Sequence, residues 1–136
     1  MSEKTIIRKY YTIEIPDKIN NHVPDDISSI PGNCEIQKVT VNPLYENNQI
    51  ANRSKSNEIT YYMYHQWAVR PAESITEFVN DFMQEAGLFE SSSMRYSRSI
   101  PDYVIETRVN DLEVVEIDRS FSAHLDIEFH LIMNSN

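Results

Sequence analysis

Ser120-Phe121-Ser122-Ala123-His124-Leu125-Asp126-Ile127-Glu128-Phe129-His130-Leu131-Ile132-Met133 is the stretch on which the fold turns. Phe121, Ala123, Leu125, Ile127, Phe129, Leu131 and Met133 take every odd position, and Ser120, Ser122, His124, Asp126, Glu128 and His130 lie between them. A period of two belongs to a β-strand, whose successive side chains point to opposite faces. Such a run predicts a long strand with one buried and one wet side, at home in an antiparallel sheet covered on a single face.

Working outward, Tyr103, Ile105, Thr107 and Val109 alternate in the same way, and Leu112 to Ile117 carries the strand on. The apolar parity changes near Asp111, which predicts a bulge there. Asp118-Arg119 separates this strand from the last one and reads as a short turn, so the two should form a hairpin. Further strand candidates are Lys9 to Ile15, Cys34 to Val41, Ile50 to Arg53, Glu58 to His65 and, more weakly, Phe89 to Tyr96. Residues 1–8 read as a tail. Residues 16–33 carry Pro24-Asp25-Asp26 and Pro31-Gly32-Asn33 and read as one long loop.

One segment has a different period. Ile75, Phe78, Val79, Phe82, Met83 and Ala86 fall at i, i+3, i+4, i+7, i+8 and i+11, a single apolar stripe on a helix. Pro71 suits the first helical position, and Gly87 suits the left-handed residue that closes a helix. The expected architecture is therefore α+β in one domain: a mostly antiparallel sheet of about six strands, with one long amphipathic helix over about 71–87 packed on one face.

Composition excludes several functions. The chain has 136 residues and only 2 glycines, too few for a G-x-G-x-x-G dinucleotide site, and Gly32 and Gly87 lie too far apart for a phosphate-binding P-loop. One cysteine, Cys34, rules out an internal disulfide and a cysteine-built zinc or iron–sulfur site. A net charge of -9 argues against nucleic acid as partner.

Four segments in order carry a resemblance. Val39-Thr40-Val41-Asn42-Pro43-Leu44-Tyr45 comes first, then Gln49-Ile50-Ala51-Asn52-Arg53, then His65-Gln66-Trp67-Ala68, then the helix, then Asp102-Tyr103-Val104-Ile105 with the closing hairpin. Together they resemble the ABC-type transport auxiliary component family, small lipoproteins of Gram-negative bacteria encoded beside ABC transporters and mammalian-cell-entry (MCE) type lipid-trafficking proteins. The resemblance covers about Tyr10 to Leu131. It departs at Asn48, where the family has proline. It implies a non-catalytic periplasmic component that docks on the periplasmic or membrane parts of an ABC/MCE-type transporter handling lipid or hydrophobic cargo. It also implies an N-terminal lipid anchor, absent from this chain, holding the full-length protein to the outer membrane. Neither a cofactor nor a nucleic acid belongs to that picture, and association into homo-oligomers is compatible with it.

The side chains expected to meet a partner are Tyr45, Asn47, Arg53, Tyr62, Tyr64 and Trp67. Aromatic residues on a strand have the composition of protein interfaces. The polar segment Asn47 to Arg53, which follows Tyr45, is included on the strength of the resemblance alone, Arg53 being able to pair with a carboxylate of a partner. The bland alternatives are packing for the aromatics and an internal ion pair for Arg53. The competing function is a small metal-dependent enzyme using His124, Asp126 and His130. Alternate strand residues stand about 6.5–7 Å apart, so two could share a metal with help from a facing strand. The bland reading of that face is a solvated polar surface.

Overall fold

The computed structural model describes residues 5–14, 29–55, 57–94 and 100–134. Most of the expected loop (16–28), the start of the expected tail (1–4) and the end of the Phe89–Tyr96 strand candidate (95–96) lie outside the described residues. Eight strands and one helix follow in the order β1 (Lys9–Tyr11), β2 (Ile30–Ile36), β3 (Thr40–Val41), a 3-10 turn (Pro43–Tyr45), β4 (Gln49–Lys55), β5 (Glu58–Trp67), α1 (Pro71–Ala86), β6 (Phe89–Ser93), β7 (Tyr103–Ile117) and β8 (Ser120–Met133).

Strand β7 organises the sheet. Along one edge it pairs antiparallel with β8, from Tyr103↔Met133 to Ile117↔Ser120. The register slips once, between Val109 and Asp111. The extra residue there lets Asp111 and Glu113 share a face with Asp126 and His124, while Leu112 and Val114 join Leu125 and Ala123. Asp118 and Arg119 make the turn with φ of 47° and 67°, the positive pair that suits a two-residue hairpin. Along its other edge β7 receives three short strands in succession, all parallel to it: β2 at Cys34↔Tyr103, β3 at Val41↔Val109 and β4 at Ala51↔Glu113. Beyond them β6 pairs parallel with β2, β5 antiparallel with β4, and β1 parallel with β5.

The expected architecture is overturned. Among the described residues the chain is mostly strand, its sheet is mixed and curls into a half-barrel, and its single α-helix is short, at 16 residues. Five of the seven strand pairings are parallel. Alternation in a sequence reports the side to which a residue points and is silent on the direction of its neighbour. The antiparallel pairing of the closing hairpin does not extend to the short strands that β7 receives on its other edge. The strand read over 34–41 is two strands, β2 and β3, because residues 37–39 leave the ladder between them.

Helix α1 starts at Pro71 and ends against Gly87 at φ 60°. Ile75, Val79 and Met83 of its stripe are buried, against Cys34, Ile36, Val39, Val41, Phe89 and Val109. Thr76, one of the positions expected to face water, is buried too. Its hydroxyl accepts from Val39 N at 2.9 Å and donates to Ala72 O, tying the helix to the segment that leads into β3. The helix packs on β3 and β6. It therefore covers the Ile105–Val109 part of β7 and leaves the outer strand open. On β8 the odd face, expected to be buried, is exposed: Phe121 64%, Leu125 59%, Phe129 59%, Leu131 55% and Met133 68%, with Ile127 alone packed on the core.

Candidate functional site

Two of the residues singled out by sequence, Tyr45 and Arg53, meet at one place. Ala51↔Glu113 pairing brings β4 alongside β7, so that Arg53, two residues on, reaches Glu113. Arg53 Nε donates to Glu113 Oε1 at 2.8 Å and to Oε2 at 3.1 Å. The Tyr45 hydroxyl donates to the same Oε2 at 2.6 Å and lies 3.3 Å from Asp111 Oδ1. Tyr45 and Glu113 are both buried. Burial pushes the Glu113 carboxyl up, but the hydrogen bonds from Arg53 and Tyr45 outweigh it and hold the group below the usual carboxylate range. For Tyr45, burial first and then the Glu113 carboxylate push the phenol up to about 12. This cluster locks β4, the 3-10 turn and β7 together. Tyr45 and Arg53 thus spend polar groups within the protein, and for Arg53 this is the internal ion pair that the sequence offered as the alternative to a partner contact. Sequence reasoning missed Glu113. Its only signal is an acid set in the apolar run Leu112-Glu113-Val114-Val115.

The remaining candidates lie around β5. Trp67 N donates to Asn48 O at 2.6 Å, and the Asn48 side chain donates back to Trp67 O at 3.0 Å. The Asn47–Asn48 segment and Trp67 are therefore neighbours in space, with Asn47 itself exposed. Tyr62 is half-buried, its hydroxyl accepting from Asn52 Nδ2 at 2.8 Å and its ring edge-on to His65. Tyr64 is exposed, as are Tyr10, Tyr61 and Met63. Tyr11 reaches His65 Nδ1 at 2.8 Å. The adjacent strands β1 and β5 at this end of the sheet thus carry several exposed aromatic and apolar side chains.

A groove of about 420 Å³ runs from this end toward the hairpin, lined chiefly by Tyr11, Trp67, Leu112, Val114, Ala123 and Leu125, with Glu113 and His124 also on its wall. Its walls are predominantly apolar, and its size lies within the range of small-ligand sites, roughly 300–1,000 Å³.

His124, Asp126 and His130 are spread along β8 and do not converge. His130 Nε2 lies 3.3 Å from Glu128 Oε2, and Asp126 Oδ1 accepts from Asn110 Nδ2 at 3.4 Å. The paired His130 holds the Glu128 carboxyl below its usual range. Among the described residues no group of three His, Cys, Asp or Glu side chains is placed to hold a metal ion. Cys34 is fully buried, and burial pushes its thiol up, away from the reactive thiolate.

No family model and no curated protein matches this sequence. Among solved structures the chain is similar to protein XCC0632 from Xanthomonas campestris, titled a DUF330 protein, with a TM-score of 0.69 and 17% identity. That likeness covers 82% of this chain and 63% of XCC0632, so the chain spans less than two thirds of that protein's length. It is also similar to a protein titled only as uncharacterised, with a TM-score of 0.56 and 8% identity, over 96% of this chain and 82% of the other. At these identities the likeness shows a shared fold. No helix among the described residues is long and apolar enough to cross a membrane.

Proposed function

We propose that this protein is a non-catalytic auxiliary component of an ABC-type transport system of the MCE kind, working in the periplasm by docking on transporter proteins that move lipid or other hydrophobic cargo. In this reading the full-length protein is held to the outer membrane by an N-terminal lipid. The observation that carries it is the exposure of large side chains on the paired strands β1 and β5: Tyr10, paired with Gln66, is open, as are Met63 and Tyr64 at successive positions of β5. Rigid aromatics with a polar tip make favourable contact area at little entropic cost, and such residues dominate protein interfaces. The resemblance of the Val39–Tyr45, Gln49–Arg53 and His65–Ala68 segments to transport auxiliary components supplies the class of partner.

Site-specific photo-crosslinking from position 64 in the native host tests this. A crosslink to a membrane or periplasmic transporter component, lost in the Tyr10→Ala/Met63→Ala variant, supports the reading. A protein that fractionates outside the envelope, or that crosslinks to no transporter component, overturns it.

A further inference from the structure

The outer strand of the hairpin carries a second surface, which the proposed function does not use. Within the described residues β8 has β7 as its sole hydrogen-bonded neighbour, so its far edge is open over 14 residues. A long, open, apolar edge strand is a liability that proteins normally blunt with charge, proline or a covering element. On β8 the odd face carries no charge at all: Phe121, Leu125, Phe129, Leu131 and Met133 are each more than half exposed.

We infer that a second copy of this chain covers that face, stripe against stripe, about a twofold axis at Ile127. The pattern is symmetric about that residue. With two β8 strands laid antiparallel, Phe121 meets the partner's Met133, Ala123 the partner's Leu131, and Leu125 the partner's Phe129. Every exposed apolar side chain of the stripe then finds an apolar counterpart, while Ile127 at the axis stays packed on its own core. A twofold interface requires this self-complementarity, since the same patch serves both copies and the assembly closes at two.

The area is sufficient. Side chains of this size exposed by more than half present on the order of 100 Å² each, so the five bury about 500 Å² per copy. The total of about 1,000 Å² reaches the threshold for a specific interface before any backbone at the open edge is counted. The wet, even-numbered face, with its acids and histidines, stays in solvent. Tyr10 and Tyr64 of β1 and β5 lie outside the stripe, but Ala123 and Leu125 line the same groove as Tyr11 and Trp67, so a second copy would close the hairpin end of that groove. The two proposals are told apart by their variants: the β8 substitutions below act on self-association, and the crosslink from position 64 reads the transporter partner.

Sedimentation equilibrium of the full chain at tens of micromolar gives a dimer. Leu125→Lys/Phe129→Lys gives a monomer with unchanged far-ultraviolet circular dichroism, since neither side chain is in the core. Met63→Lys, an equal change of character on β5, leaves the dimer intact. In an independent arm, Leu125→Cys/Phe129→Cys oxidises to a covalent dimer and stops there, because each cysteine faces the other kind on the partner. A monomeric wild-type chain, an assembly that survives the double-lysine change, or an open-ended ladder of crosslinked species overturns the inference.

Discussion

Arg53 Nε stands 2.8 Å from Glu113 Oε1, with the guanidinium about a quarter exposed and the carboxylate side chain 6% exposed. The carboxylate has given up most of its water and receives in exchange two bonds from Arg53 and one from Tyr45. Its charge is tolerated because those donors replace solvent. Replacement by the neutral isostere removes the charge that orients both donors while keeping the volume. Glu113→Gln is expected to destabilise the fold by about 1.5–3 kcal/mol, the usual worth of hydrogen bonds to a charged group. Urea unfolding checks it, and Arg53→Met should act in the same direction. A midpoint unchanged by either would mean that the cluster contributes nothing to cohesion of β4 and β7.

The same cluster gives stability two pH edges. Glu113 is held below the unfolded carboxylate value, so its stabilisation is complete above that value, about 4.3, and is lost as pH falls through the folded one. Tyr45 is raised to about 12, so its contribution is complete below the ordinary phenol value, about 10, and is lost as pH rises from there through 12. Thermal melts should therefore fall on the acid side below about pH 4.3 and on the alkaline side above about pH 10. Glu113→Gln should flatten the acid limb, and Tyr45→Phe the alkaline one, each measured as the difference in Tm from its own value at pH 7.

What the sequence made legible was local. Pro71 and Gly87 mark the ends of α1 because each acts through its own backbone, and the parity change at Asp111 marks the slip in β7 because a bulge shifts every later side chain. What it hid was pairing. Thr40-Val41 is two residues long and carries no periodicity, yet it sits in the middle of the sheet against Arg108-Val109. The apolar face of β8 reads as core because alternation cannot tell whether the helix reaches it. The partner of the internal ion pair that Arg53 could form was hidden because Glu113, 60 positions on, has no local signature. Of the partner-surface candidates, Asn47 and Tyr64 are exposed, Tyr62 and Trp67 half-buried, and Tyr45 and Arg53 turned inward.

Thr76 offers a test of how the helix is fastened. Its hydroxyl is the acceptor for the Val39 amide, in a place where both residues are buried. Valine has the same shape and no acceptor. Thr76→Val should leave that amide unpaired and cost about 1–3 kcal/mol, despite the gain in apolar surface. Denaturant unfolding measures it. Hydrogen exchange should show the Val39 amide losing protection ahead of its neighbours. Equal stability in the two proteins would mean that water replaces the hydroxyl there.

Gly32 and Gly87 both have positive φ, at 109° and 60°, and only one of them is crowded. A Cβ on Gly87 meets nothing within 4 Å, so Gly87→Ala carries the backbone cost alone, about 1 kcal/mol. A Cβ on Gly32 lands 2.7 Å from Asp102 Oδ2. That oxygen accepts from Asn33 N at 3.0 Å, and Asn33 Oδ1 accepts in turn from Asp102 N at 2.8 Å. This reciprocal pair fastens β2 to the start of β7, where Asp102 O also receives Asn134 N at 2.9 Å beyond the end of β8. Gly32→Ala must therefore push the Asp102 carboxylate off Asn33 as well as strain its own backbone, and should cost about 2–4 kcal/mol. The order of the two substitutions is the sharp part of the prediction. If Gly87→Ala proves the more damaging in urea unfolding, the Asn33–Asp102 clasp is not what holds β2 to β7.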